Sequence, residues 1–523
     1  MKSVRTKIVK AAGLLMVLQV FDQITGLLKQ MVIAAHFGAS ETMDSYLVAT
    51  TVVGLILLWV GLPIRQTLIP MFRYDLTQRG ERAAWANTSV LFNDLLLVLI
   101  FIVLAGELLA PQLVGILAPG FSEQASASAT SLARVLLITV VLLGMGNVLS
   151  QIFYSYERFF RPGVVGSVNN IVTMVALLGL GSTYGILGLA IAAVLGAVCQ
   201  FMLQLPILWE KRKFYSRRVD FRDSQLAQMG NLSFPLLIST GGNEVARVTD
   251  RIFASLLPGG SLSALAFAHR PTSVVIEFLI RPLQQATFPH FTKLAAERDF
   301  PTLSRQLFDY LRLVLFIALP ATVGLMFTAE PIVQVLYQRG AFDQTAVHLT
   351  SQALLFYALG VPANVVVRVF RNTFFGLKDT WTPTKVALIS IAIKIALTWV
   401  LIPHFSHLGI ALADSVAQFT NALALFVLLP TAVKGQEGAK TCTALARILS
   451  GCVVMGGLLY LTKEKIAGMF APFLELALLI ALGIGAYGLL ALFLRMEPGR
   501  LVLDTMTQMA TRYFFKRSKT THA

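Results

Sequence analysis

A set of side chains that could do chemistry in this chain lies inside or at the ends of long apolar stretches. Lys29, Asp44, Arg65 and Glu107 come first, then Glu244, Arg247, Asp250, Arg251, Arg270, Glu277 and Arg281, then Arg368, Arg371, Lys394 and Asp414. A charge in such surroundings is costly, and it is kept where it pairs, lines a wet cavity or meets a ligand. Glu244 and Arg247 stand three apart, as do Arg247 and Asp250, and Arg251 follows Glu244 by seven, so all four can share one broad helix face. Mutual pairing and a ligand-facing role both remain open for them. Lys394 and Asp414 lie one helix apart and are natural partners, as a structural ion pair or as a coupling site. Arg65, Arg281, Arg371 and Glu107 lie within snorkelling reach of a membrane surface. Arginines dominate the set. A guanidinium grips phosphate in two-pronged fashion, so the chemistry implied is the holding of an anion rather than the making of bonds. The chain contains no GxxxxGK[ST], HExxH or GxSxG pattern, and its three cysteines, Cys199, Cys442 and Cys452, have no metal-binding spacing and read as small buried apolar residues. No enzymatic activity, metal or cofactor is expected.

The elements that must carry these charges follow from composition. Of 523 residues, 56% are hydrophobic and only 13% charged, with a mean hydropathy of +0.72; a soluble chain carries about 25% charged residues. Apolar runs of roughly 20 residues, the length that crosses a bilayer core, recur from end to end. The fold class is therefore an all-α polytopic membrane protein. Fourteen spans are expected, near 11–36, 45–72, 88–117, 132–156, 163–181, 185–209, 226–256, 261–290, 303–328, 349–375, 383–403, 408–431, 443–462 and 470–495. The first is read as a membrane helix rather than a cleaved leader, because it is long and no small-residue cleavage site ends it. Gly61, Pro63, Pro235, Gly241 and Gly242, near span ends, allow bends at a portal.

The net charge of +16 belongs to the loops. Lys2, Arg5, Lys7 and Lys10 precede the first span. Arg73, Arg79 and Arg82 follow the second, Arg158 and Arg161 the fourth, and Lys211, Arg212, Lys213, Arg217, Arg218 and Arg222 the sixth. Lys293 and Arg298, Lys378, and Lys434 and Lys440 continue the series to a basic tail at Arg512, Lys516, Arg517 and Lys519. The alternate loops are nearly bare, with Arg339, Lys463 and Lys465 as exceptions. The positive-inside rule then places both termini in the cytoplasm and accounts for the basic balance without nucleic acid.

The chain also repeats itself. Gln66-x-x-x-Pro70-x-Phe72 recurs as Gln285-x-x-x-Pro289-x-Phe291, Asn147 to Phe153 recurs loosely as Asn364 to Phe370, and Gly188-Leu-Ala recurs as Gly409-Ile-Ala, at offsets of about 219 residues. Each copy holds six spans, so the two face the same way, as in parallel transporter repeats with a site at their interface. The expected organisation is an N-lobe over 1–222, a C-lobe over 223–434, two further helices over 435–495 and a basic cytoplasmic tail over 496–523, with a central cleft between the lobes.

Five segments together resemble the MviN/MurJ family of lipid II flippases, within the multidrug/oligosaccharidyl-lipid/polysaccharide exporter superfamily. They are His36–Asp44 (HFGASETMD), Leu117–Phe121 (LAPGF), Thr249–Arg270 (TDRIFASLLPGGSLSALAFAHR), Tyr337–Asp343 (YQRGAFD) and Phe374–Pro383 (FFGLKDTWTP). The resemblance covers nearly the whole chain. It implies fourteen helices in two lobes and the flipping, by alternating access, of an anionic polyprenyl-diphosphate-linked sugar precursor from the cytoplasmic to the periplasmic leaflet. It implies a bacterial inner-membrane location, a role in peptidoglycan synthesis and cell shape, and contact with membrane lipids and with cell-wall or polysaccharide synthesis enzymes.

The resemblance also assigns residues. Arg270 matches the basic residue of span 8, Asp44 the acid opening span 2, and Lys29 a basic residue of span 1; Arg247, Arg251, Glu244 and Arg65 join them as substrate-binding candidates. Asp250 resembles the span 7 ligand of a sodium site found in some members, and Lys394 stands where that site has an asparagine, so its ammonium can take the cation's place beside Asp414. The chain departs from the family pattern at Gln23, Gln30, Leu57 and Ser273, where charged residues are usual. These departures leave the cargo open between lipid II and another lipid-linked glycan for surface export. A drug exporter of the same superfamily is a further reading, although an exporter of cations should line its cleft with carboxylates. A membrane scaffold has no reason to keep charges inside the bilayer.

Overall fold

The computed structural model describes residues 2–221, 242, 244–435 and 437–499, all helix and connecting turn, with no strand among them. The helices are α1 (Lys2–Phe37), α2 (Glu41–Gln78), α3 (Glu81–Leu117), α4 (Glu123–Ser155), α5 (Phe160–Met202), the short α6 (Pro206–Glu210) and α7 over residues 244–255. Next come α8 (Ser261–Val275), a π-helical turn (Ile276–Ile280), α9 (Arg281–Ala296), α10 (Phe300–Phe327), α11 (Ala329–Tyr337), α12 (Gln344–Leu359) and α13 (Val361–Gly376). The series ends with α14 (Trp381–Phe405), α15 (His407–Leu428), the one-turn α16 (Thr431–Lys434), α17 (Gly438–Ile466) and α18 (Pro472–Phe493).

Among the described residues, ten helical runs are long and apolar enough to cross a membrane. One of them, Phe160–Glu210, spans both the fifth and sixth expected segments. The first expected segment lies in α1. The eighth is the α8–π–α9 rod, and the tenth is divided between α12 and α13 at Gly360. Most of the seventh, including Pro235 and Gly241, lies outside the described residues. The helices overrun the expected spans because charge, not hydropathy, ends the apolar stretch while backbone hydrogen bonding carries on. Large apolar side chains such as Trp59, Phe101, Leu108, Trp399 and Phe493 stand exposed, as lipid-facing positions must.

The described residues divide into two compact units, Met1–Ala264 with Tyr337–Ala346, and Leu265–Leu336 with Val347–Ala523. In the first, α4 is central, packing on α2, α3 and α5, while α1 lies along α5. Trp85, Phe72, Leu68 and Phe153 are sealed inside it. In the second, α13 packs on α9, α10 and α15, and α14 pairs with α15. Leu307, Val314, Val365, Val369 and Phe370 form its core. The last two helices hold to this unit through α10: Tyr487 donates a hydrogen bond to the Phe316 carbonyl (3.1 Å), and Gly456 lets Phe327 approach α17. Cys452 is buried there, Cys199 is half-buried and Cys442 is exposed near the start of α17, so the reading of all three cysteines as buried holds for Cys452 alone.

The internal repeat appears in the backbone itself. α5 is interrupted at Gly185, with φ 55° and ψ −134°, and α14 passes into α15 at Ser406, with φ 51° and ψ −134°. Just beyond each turn a glycine backs onto the preceding helix: a Cβ on Gly188 would meet the Leu180 carbonyl oxygen at 2.5 Å, and one on Gly409 the Leu401 carbonyl oxygen at 2.9 Å. The same helix–turn–helix therefore occurs twice, once with glycine and once with serine at a conformation disfavoured for any side chain. Ser406→Gly should raise the thermal midpoint of the purified protein by the equivalent of about 1 kcal/mol, and Gly185→Ala should lower it by about 1–3 kcal/mol. Equal and small effects at both positions would show the turn to be unstrained.

Candidate functional site

At one end of the first unit, four turns pack on one another. The turn after α1 holds Gly38 at φ 60°, where a Cβ would sit 2.4 Å from the Ala341 carbonyl oxygen. Ala341 N–H in turn donates to the Ala35 carbonyl (2.8 Å). The turn after α3 brings Gly120 N–H to Ser255 Oγ (3.2 Å) and its Cα against the Ser255 carbonyl. Gly259 lies on Glu41 and Gly260 on the Ala39 carbonyl, while Ser122 Oγ donates to Glu41 Oε1 (2.9 Å). Small residues are needed here because backbone meets backbone.

Asp44 ties this cluster together. Its Oδ2 accepts from Gly260 N–H and its Oδ1 from Ser263 N–H, each at 2.7 Å. The carboxylate thus takes up two of the amides that the first turn of α8 cannot satisfy internally, and it lies at the positive end of that helix. It is 2% exposed, so both oxygens are committed to backbone. Asp44 here clamps the turn that opens α8. The clamped helix crosses between the units, since Ala264 belongs to the first and Leu265 to the second. Arg251 on α7 acts electrostatically on this carboxylate.

The other basic and acidic candidates of the first unit are spread along its helices. Lys29 is half-buried on α1, and Arg65 is exposed on α2. On α7, Glu244 and Arg247 form an ion pair, the guanidinium exposed and the carboxylate half-buried. Asp250 and Arg251 are half-buried on the same helix. Glu107, on α3, is engaged by Arg134 of α4 at 3.9 Å. At the opposite end of the unit a polar network closes the helices: Arg158 makes a two-pronged pair with Glu210 (2.6 and 2.9 Å), Lys211 meets Glu81 (2.7 Å), and Tyr156 bridges Trp85 to Glu81.

In the second unit Arg270 is half-buried on α8. Its neighbour His269, which sequence reasoning passed over, stacks edge-on against Tyr357 (5.4 Å) and lies within hydrogen-bonding distance of Ser273 Oγ (3.1 Å). His269 also acts electrostatically on Asp414. Asp414 on α15 and Lys394 on α14 form a 2.7 Å ion pair, with Lys394 5% exposed. The structure therefore brings Lys394 and Asp414 together, within electrostatic reach of His269 on α8. Two other groups escaped notice: Asp22 on α1 accepts from Asn170 Nδ2 (3.3 Å), and the fully buried Asp94 accepts from Asp220 N–H (3.0 Å), docking the basic loop after α6 onto α3. A lone acid in an apolar run was the signal for both.

Comparison with known proteins agrees with this geometry. The family described as lipid II flippase MurJ matches residues 33–481. A protein of Rhizobium meliloti named "Probable lipid II flippase MurJ" is 24% identical over 456 residues, covering 85% of each chain. Among solved structures, one titled as lipid II flippase MurJ in an inward closed conformation superposes with a TM-score of 0.78 at 22% identity, covering 92% of this chain and 99% of that one. An inward-facing multidrug resistance transporter of the MATE family gives a TM-score of 0.64 at 15% identity, over 81% of this chain and 99% of that one. At such identities these superpositions speak for the fold.

Proposed function

The chain belongs to the lipid II flippase MurJ family, and from that premise we propose that it carries lipid II, a polyprenyl-diphosphate-linked sugar precursor, from the cytoplasmic to the outer leaflet of the bacterial inner membrane by alternating access. Both termini then face the cytoplasm, as the basic loops require. The observation that carries the reading is the meeting of the family-like segments 36–44, 117–121, 249–263 and 337–343 at the Asp44 clamp. Those segments are far apart in sequence, and their mutual fit is a property of the whole fold rather than of any one motif. Arg270 on α8 is the cation proposed to hold the diphosphate, with Lys29, Arg65, Arg247 and Arg251 as further basic positions.

The test is genetic. A host depleted of its own lipid II flippase should regain growth when this chain is expressed, and Arg270→Ala should remove the rescue. A guanidinium–phosphate contact contributes about 1.5–3 kcal/mol, so the variant's flipping rate in vesicles should fall by roughly ten- to a hundredfold. Failure to rescue, together with loss of a surface polysaccharide when the native gene is deleted, would move the cargo to another lipid-linked glycan. The drug-exporter reading predicts drug sensitivity on deletion and no glycan phenotype.

A further inference from the structure

A second set of cations lies deeper in the second unit, on the helix that carries Arg270. The α8 rod passes through the π turn at Ile276–Ile280 and starts again at Arg281. A π turn takes an extra residue and shifts the phase of everything after it; such turns recur at functional sites. Glu277 and Arg281 form an ion pair here. Helix α13 packs against both the π turn and α9. On α13, Asn364, Arg368 and Arg371 follow at intervals of four and three and form one stripe, while Val365, Val369 and Phe370 turn into the core. Arg368 Nε donates to Asn364 Oδ1 (2.8 Å), and Arg368 lies within electrostatic reach of Glu277 and Arg281, as Arg371 does of Arg368.

Glu277 thus pairs with Arg281 and lies within electrostatic reach of Arg368, and Arg371 adds a third guanidinium beside Arg368. Among the described residues neither Arg368 nor Arg371 has a carboxylate within ion-pair distance. Both are half-buried in a membrane-spanning element, where uncompensated like charges are costly. The fold itself does not require them. In the register that aligns Asn147 with Asn364, the first copy has Gln151 and Tyr154 at the positions of Arg368 and Arg371. The surplus charge belongs to the second copy alone and invites a polyvalent anion.

We propose that Arg281, Arg368 and Arg371 form a second diphosphate-binding station, separate from Arg270 and about 16 Å further along the same helical rod. This deepens the flippase reading and rests on it for the identity of the cargo. In the orientation proposed above, the station lies in the cytoplasmic half of the membrane, between Arg270 and the basic Lys293 and Lys378. A diphosphate arriving from the cytoplasmic leaflet meets it first. Asn364 orients Arg368, and Glu277 holds Arg281 until the anion displaces it.

The same phosphate chemistry could come from a bulk phospholipid, so the experiment uses both sources. Full-length protein in nanodiscs is titrated with undecaprenyl diphosphate, then with cardiolipin. Arg368→Gln/Arg371→Gln should weaken undecaprenyl diphosphate binding by roughly tenfold or more. Glu277→Gln, which frees Arg281, should tighten it severalfold, a gain that a misfolded variant cannot produce. Equal affinities in the wild type and all these variants would overturn the station, as would full displacement of the diphosphate lipid by equimolar cardiolipin. If the chain fails to rescue a flippase-depleted host yet these binding shifts appear, the lipid II reading falls and the station stands.

Discussion

Asp44→Ala is expected to abolish rescue of a flippase-depleted host and to lower the stability of the purified protein by about 3 kcal/mol or more. The carboxylate makes two 2.7 Å hydrogen bonds to backbone amides of the α8 turn, and a charged acceptor is worth about 1.5–3 kcal/mol for each bond. Alanine would leave both amides buried and unsatisfied, and would place no negative charge at the start of α8. Asp44→Asn would keep one acceptor but turn an NH2 group towards the second amide, so it should recover less than half of the loss. Ser263→Ala keeps the backbone N–H and should cost about 1 kcal/mol. Thermal unfolding with a ligand-free sample separates this from a binding effect. Wild-type stability in Asp44→Ala would show that the clamp does not hold the turn, and wild-type flipping would show that transport does not depend on it.

The functional force of the clamp comes from where α8 goes. Its first turn is fixed in the first unit and its remainder belongs to the second. The glycines at 38, 120, 259, 260 and 340 let backbones touch around that turn.

Much of this was legible in the sequence, and the reasons differ by element. Hydropathy gave the spans because lipid imposes a length on every crossing helix. It could not show that segments five and six join through a single non-helical residue at Gly185, since side-chain hydropathy carries no dihedral angles. The repeat was legible as Gly188 and Gly409, because both glycines answer the same steric demand. Lys394 and Asp414 were paired correctly since two opposite charges within apolar helices have few other partners. Asp44 was singled out as a charge, but its backbone partners were not. Those partners are the amides of Gly260 and Ser263, and backbone amides leave no mark in side-chain patterns; the Pro258-Gly-Gly-Ser turn before a helix was the available hint. Asp22 and Asp94 each stand as a lone acid in an apolar run, and their partners, the Asn170 amide and the Asp220 N–H, carry no charge that a sequence pattern could pair with them.

The Lys394–Asp414 pair offers the sharpest separation of structure from coupling. Lys394→Met should destabilise the protein by about 3–5 kcal/mol, because it strands a carboxylate in a low-dielectric site, whereas Lys394→Met/Asp414→Leu should come close to wild-type stability. If the pair only holds α14 to α15, the double variant flips its cargo normally. If the carboxylate must exchange its partner during the cycle, the double variant is stable and inactive, and that is the outcome expected here. His269 acts electrostatically on Asp414 from the helix of Arg270. The same logic fixes the cation requirement. With the Lys394 ammonium 2.7 Å from Asp414, the carboxylate already has its counter-charge, so wild-type flipping in vesicles should be unaffected when sodium is replaced by choline. Lys394→Asn removes that counter-charge and leaves an oxygen ligand in its place. Flipping by this variant should be low and should rise with sodium concentration. Sodium dependence in the wild type, or none in Lys394→Asn alongside full activity, would show that the ammonium does not serve as the built-in cation.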